Sequence, residues 1–144
     1  MNPGIWKTTF ASLGVACVVQ FFAYQVQSEF IFIFLKSNIT NLQVALLAVN
    51  TATLGIVLTK IREIIDKTGQ RAAFDSTRSE MLLSIKEQVS LIAMSLIILT
   101  LEAAKSLPVT VPSEIFQAAL LASFIYSIFI LYDTAKSVFV ILDY

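Results

Sequence analysis

The chain has 144 residues, of which 57% are hydrophobic, and its ten basic and ten acidic residues give a formal net charge of zero. It is too apolar for an ordinary soluble domain, and its neutral balance offers no basic surface for nucleic acid. With no histidine and a single cysteine, the chain cannot build a structural zinc site, and we expect no metal and no other cofactor. Four long apolar segments predict an all-α integral membrane protein with four transmembrane helices.

The first transmembrane helix is predicted over residues 8–35, after Trp6 and Lys7, which suit a membrane interface and a cytosolic flank. A cleaved signal peptide is the alternative, but the small-residue cleavage pattern is missing. Glu29 lies near the end of this helix. We expect it to be solvated at the interface or hydrogen-bonded, and the alternative is a pore-lining or ligand-sensing carboxylate.

A short outer loop, residues 36–40, leads to the second transmembrane helix over residues 42–61. Small residues recur along one face of this helix at spacings of three and four, a pattern that lets another helix approach closely in lipid. We expect the other three helices to pack around it, and we call this face the small-residue face of helix two. Its members are Ala45, Ala48, Ala52, Gly55 and Thr59.

Beyond the bilayer, helices two and three are predicted to continue as a short cytosolic hairpin, residues 60–88. Apolar residues at helical spacing on both arms predict that the arms pack against each other and form a rigid stalk. These residues are Ile61, Ile64 and Ile65 on the first arm and Met81, Ile85 and Val89 on the second.

The charged residues of the hairpin allow two interpretations. They either keep a solvated turn in the cytosol or form a docking surface, for which arginine is well suited because its planar fork binds carboxylates with two hydrogen bonds. The candidate partner-binding residues are Arg62, Asp66, Arg71, Phe74, Asp75 and Arg78.

The third and fourth transmembrane helices are predicted over residues 88–107 and 114–135, and the prolines between them exclude one continuous helix. Glu102 lies three residues before Lys105 and can pair with it. The tail, residues 136–144, is expected to lie in the membrane interface or to dock on protein. A second small-residue face, on helix four, consists of Ala119, Ser123 and Ser127.

Lysine and arginine are distributed unevenly between the two predicted sides. If the amino terminus is inside, eight of the ten lie on the cytosolic side and only Lys36 and Lys105 lie outside. The positive-inside rule therefore predicts that both termini are cytosolic.

Few polar residues are predicted inside the membrane. We expect Gln20 and Asn50, near the midplane, to hydrogen-bond across the bundle, with a permeation or substrate role as the alternative. No serine or cysteine has a base beside it and no glycine-rich loop could hold a phosphate, so we expect no enzyme. The intramembrane polar candidates are Gln20, Glu29, Asn50 and Glu102.

Two classes of function remain. The first is a homo-oligomeric membrane scaffold or sensor whose hairpin recruits a cytosolic protein, and the second is a small channel or a holin-like pore-forming protein. In length and hairpin layout, the chain resembles the small four-helix membrane subunits of bacterial anti-phage systems of the Kiwa type. This resemblance implies an inner-membrane oligomer that recruits a cytosolic effector upon infection, and it carries no functional residues over to this chain.

Overall fold

The computed structural model describes residues 3–69, 74–104 and 112–142, and in these ranges the chain forms four α-helices. All four are long and apolar enough to cross a membrane. The predicted all-helical class with four potential membrane-spanning helices is therefore confirmed. The helices are α1 (Pro3–Gln25), α2 (Phe30–Thr68), α3 (Asp75–Ala103) and α4 (Ser113–Leu142).

The break between the first two helices lies about ten residues earlier than predicted. Gln27 has a φ of 53°, and its amide donates to the Tyr24 carbonyl while that of Ser28 donates to the Ala23 carbonyl. These two bonds are the Schellman pattern that ends a helix with a left-handed residue. The prediction of one helix over residues 8–35 is therefore wrong, because it followed hydrophobicity through a turn that a backbone motif creates.

The predicted outer loop at residues 36–40 is helical and lies within α2. Ser37 donates its hydroxyl to the Ile33 carbonyl at 3.0 Å, and Asn38 donates its amide to the Phe34 carbonyl at 2.9 Å. Polar side chains that bond to their own helix in this way are compatible with its continuation. The loop prediction is wrong because it assigned a turn on residue type alone.

Helix α4, rather than α2, is the element that packs extensively against all the others. It packs against α1, α2 and α3, whereas the main neighbour of α1 is α4 alone. Helices α2 and α3 also pack against each other, so α2, α3 and α4 form a three-helix group with α1 on its outside. The prediction that the other helices surround helix two is therefore wrong for α1, although α3 and α4 do pack against α2.

Two apolar clusters hold the bundle together. The first lies toward the α1–α2 turn and joins Ala16 of α1 to Phe32 and Leu35 of α2 and to Leu121 and Ala122 of α4. The second lies at the end of the bundle where α2 is followed by α3, which we call the hairpin end. It consists of the buried residues Leu54, Val57, Ile61 and Met81 and the partly buried residues Ile65, Phe74, Ile85 and Val138.

The second cluster tests the predicted contact between the hairpin arms. Ile61 and Ile65 do share a cluster with Met81 and Ile85, as predicted, whereas Val89 is half exposed and takes no part in it. The predicted tail, residues 136–144, begins as part of α4, and Val138 docks on this cluster. At the hairpin end α2 closes with Gly69, whose φ is 71° and whose amide donates to the Ile65 carbonyl at 2.8 Å.

Candidate functional site

A row of polar side chains runs through the interface between α2, α3 and α4, and we call it the polar seam. On α2, and on α3 from Gln88 to Glu102, its members recur every seven residues, a spacing that returns side chains to nearly the same helix face after two turns. Because α2 and α3 are antiparallel, the two series meet in successive layers. The seam consists of Lys36, Gln43 and Asn50 on α2, Ser84, Gln88, Ser95 and Glu102 on α3, and Ser123, Ser127 and Thr134 on α4.

The first layer is an ion pair between Lys36 and Glu102 at the end of the bundle opposite the hairpin, which we call the far end. The Glu102 side chain is mostly buried and that of Lys36 is about one-third exposed. Glu102 was predicted to pair with Lys105, which lies outside the described residues. Lys36 was not predicted as the partner of Glu102, because the prediction placed Lys36 in a loop and not on a helix.

The second layer is centred on Ser123 of α4. The Gln43 amide donates to the Ser123 hydroxyl at 3.0 Å, and a further contact of 3.5 Å joins it to Ser127. The hydroxyls of Ser123 and Ser95 lie 2.7 Å apart. Ser123 of α4 thereby links Gln43 of α2 to Ser95 of α3. These three residues and Ser127 are all buried.

The third layer is an amide pair with two hydroxyls. Asn50 donates its amide to Gln88 Oε1 at 2.8 Å and to the Ser84 hydroxyl at 2.9 Å. Ser84 and Thr134 bring their hydroxyls within 3.4 Å of each other, so this layer also joins all three helices. Asn50 and Gln88 are completely or almost completely buried.

Three buried polar atoms of the seam have no hydrogen-bond partner among the described residues: Gln43 Oε1, Asn50 Oδ1 and Gln88 Nε2. Leaving such an atom unpaired costs about 1–3 kcal/mol. A buried polar group of this kind is ordinarily bound by another protein group or by ordered water. The second and third layers therefore have unused capacity to bind a polar molecule.

Beside the third layer, a cleft of about 230 Å³ opens between the hairpin-end parts of α1, α3 and α4, and Leu54 and Val57 of α2 also line it. Among the described residues, three carboxylates line it, those of Glu80, Glu87 and Asp133, and no lysine or arginine does. Ser84 and Thr134 of the polar seam also line the cleft. The Asn50 amide, which donates to Ser84, is therefore separated from the cleft by one side chain.

Polar side chains from three helices also come together at the cleft. Tyr126 of α4 and Glu87 of α3 both line it and interact electrostatically, and the Thr9 side chain of α1 approaches the Tyr126 hydroxyl. Because the charged groups among its described lining residues are all acidic, the entrance favours cations and neutral polar molecules over anions.

Of the two predicted small-residue faces, the one on α4 lies inside the bundle and the one on α2 lies on its surface. On α4, Ser123 and Ser127 are buried in the polar seam and Ala119 is half-buried. The small-residue face of α2 points away from the bundle, and a methyl group added at Gly55 would meet nothing within 4 Å. All five members of that face are exposed in the single chain: Ala45, Ala48, Ala52, Gly55 and Thr59.

The predicted intramembrane polar residues do not form one site. The Gln20 amide of α1 donates to the Glu114 carbonyl of α4 at 3.0 Å, whereas Asn50 bonds to α3. Each therefore makes a contact between helices, but with a different partner. Glu29 is exposed at the N-cap of α2 and makes no capping bond there, and Glu102 pairs with Lys36.

The candidate partner-binding residues are partly brought together. Arg62, Asp66 and Arg78 line one groove with Leu58, Ile61 and Ile65, on the outer side of the hairpin end. Phe74 packs against the second apolar cluster instead of standing free, and Asp75 is exposed at the start of α3. Arg71 lies outside the described residues.

Sequence reasoning missed most of the polar seam. A signal was present, since Lys36, Gln43 and Asn50 are seven residues apart and Gln88 and Glu102 are fourteen apart, with Ser95 midway. It was overlooked because the loop predicted at residues 36–40 removed Lys36 from the series.

Among residues 3–69, 74–104 and 112–142, no group of three or more acidic or cysteine side chains is arranged to hold a metal ion. Comparison with known proteins finds no matching family model, no matching curated protein and no matching solved structure. Any functional assignment therefore rests on the chain's own geometry.

Proposed function

We propose that the protein is a homo-oligomeric, multi-pass membrane scaffold or sensor that recruits a cytosolic protein at its hairpin end. Support for insertion comes from the outer surface of the bundle, where large apolar side chains such as Phe10, Phe22 and Ile56 are more than 60% exposed. Soluble proteins rarely leave so much apolar surface uncovered. Between Lys36 and Lys60, α2 carries no charge over about 35 Å, slightly more than a bilayer core.

The observation that carries the docking role is the groove at the hairpin end. Two arginines and an aspartate, Arg62, Arg78 and Asp66, surround its apolar floor. The helices that hold them are fixed by the second apolar cluster, so the charged groups are presented on a rigid support. A partner with an acidic and apolar surface fits this arrangement, because arginine binds carboxylates with defined geometry.

Charge reversal tests the docking role. In cells, the double variant Arg62→Glu/Arg78→Glu should lose most cross-linking to its cytosolic partner while it still inserts and assembles. Lys136→Glu is a matched control, because Lys136 is also exposed near this end and does not line the groove. Full retention of every cross-link by the double variant, at normal expression, would count against docking at this groove.

The topology is tested by cysteine labelling on a Cys17→Ser background. We expect Asp75→Cys to react with an impermeant thiol reagent only after the cells are opened, and Gln27→Cys to react in intact cells. The reverse pattern would place the hairpin end outside and remove the cytosolic partner from the proposal. The resemblance to Kiwa-type subunits makes phage infection of a bacterial host the setting in which to seek that partner.

A small channel is the second candidate, and the polar seam is the observation that favours it. Polar groups buried between apolar helices in lipid often mark a permeation path. Conductance of the purified protein in liposomes separates the two candidates, since a scaffold gives no current above protein-free liposomes.

A further inference from the structure

We propose that the second and third layers of the polar seam bind water that enters from the acidic cleft, and that this hydrated path ends blindly at the middle of the bundle. The inference goes beyond the docking role and does not depend on it. It assigns a ligand, water, to a part of the molecule that the docking role leaves unused.

The need for water follows from the three unpaired atoms. Asn50 Oδ1 is an acceptor and Gln88 Nε2 is a donor, and they belong to side chains that already share one hydrogen bond. A single water that donates to the first and accepts from the second satisfies both. Gln43 Oε1 is a further buried acceptor, which a second water can satisfy. Between apolar helices in lipid, each unpaired group would be still more costly than in a soluble protein.

Two side chains that belong both to the cleft and to the third layer of the polar seam mark the route for water. Ser84 and Thr134 line the cleft and also take part in the third layer. Hydroxyl groups both donate and accept, so they can continue a chain of hydrogen-bonded water molecules from the cleft to the Asn50 amide. The cleft is large enough for several waters, each of which takes about 30 Å³ in the liquid.

The path is closed toward the far end. Ile39 lies one turn before Gln43 on α2, and Leu120 lies one turn before Ser123 on α4, and each is only 1% exposed. Beyond them the Lys36–Glu102 ion pair covers the same interface. An apolar plug with an ion pair above it does not admit water, so access to the middle of the bundle is one-sided.

The test is water-edited solid-state NMR on the full chain in liposomes, which measures how fast magnetisation passes from water to each nitrogen. We expect magnetisation to build up on the side-chain nitrogens of Asn50 and Gln88 nearly as fast as on that of the exposed Gln27. On the backbone nitrogen of Ile39 it should build up several-fold more slowly. If the two buried amides are as slow as Ile39, they pair with each other directly and the site is dry, which overturns the proposal.

The entry route is tested by a substitution that fills it. Ser84→Leu should slow the build-up at Gln88 toward the rate of Ile39, because the larger apolar side chain separates the amides from the cleft. Ser90→Leu is the matched control, since Ser90 is exposed on the same helix and bonds only to the Lys86 carbonyl of its own backbone. Should Ser84→Leu fail to fold, Thr134→Leu blocks the same route from α4. If the build-up at Gln88 stays fast in the blocked variant, the water is enclosed within the bundle and does not enter from the cleft. That result would overturn the proposed route.

Discussion

At the scale of single residues, the polar seam is the feature that sets this bundle apart from a purely apolar one. Each of its layers joins at least two helices, and no layer can be formed by one helix alone. Buried polar contacts of this kind can fix which faces of helices meet and in which register, because a shifted alignment would leave several groups unpaired.

The ion pair at the far end gives the first prediction. Lys36→Ala leaves the Glu102 carboxylate, whose side chain is only 16% exposed, without its partner, so the single variant should lose about 1–2 kcal/mol of stability. The double variant Lys36→Ala/Glu102→Ala should lose less stability than the two single variants lose together, with a coupling energy of about 1 kcal/mol. Unfolding in detergent measures all four proteins. Strict additivity would show that the pair contributes nothing to stability.

At the scale of secondary-structure elements, the α1–α2 turn determines how the first apolar segment divides. Gln27 adopts the left-handed conformation that a side chain other than glycine adopts at a cost. We predict that Gln27→Gly stabilises the protein by about 0.5–1 kcal/mol, because glycine removes that cost.

Gln25→Gly is the control for this substitution, since Gln25 is the last helical residue of α1. There glycine should be neutral or destabilising, because it weakens a helix. Thermal unfolding in one detergent compares the two variants with the parent. Equal effects of both glycines would show that the left-handed turn carries no measurable cost.

The apolar contact between α2 and α3 gives a prediction at the same scale. Ile61 is 2% exposed in the second cluster, and Ile61→Ala should cost about 2–4 kcal/mol through lost burial and the cavity that it leaves. Ile56 is 65% exposed on the same helix, and Ile56→Ala should cost far less. Limited proteolysis at the hairpin end should also accelerate in the first variant only. Similar stability of both variants would show that the cluster does not hold the hairpin together.

At the scale of the whole molecule, the exposed small-residue face of α2 bears on assembly. A face of small side chains turned away from its own bundle is open to close contact with another helix in lipid, and this supports a homo-oligomer as part of the proposed function. The space around Gly55 means that a larger side chain does not disturb the single chain.

Gly55→Leu therefore separates assembly from folding. We expect the variant to keep the stability of its monomer and to lose mass in native mass spectrometry, because leucine prevents close approach of a second helix. Leu58→Phe is a control that enlarges another exposed side chain of α2. An unchanged mass for Gly55→Leu would show that this face is not an interface between copies.

The sequence by itself determined the apolar helices and their number, because the hydrophobicity and length of a segment are local properties. It also identified Ser123 and Ser127 as members of a packing face and the isoleucines of α2 as one side of the hairpin contact. Tertiary structure alone decided that α4 contacts every other helix, that the small-residue face of α2 points outward, and that Lys36 pairs with Glu102. These features depend on which faces of distant segments meet. A backbone turn at Gln27 and side-chain pairing across antiparallel helices set that arrangement, and neither follows from the hydrophobicity of any one segment.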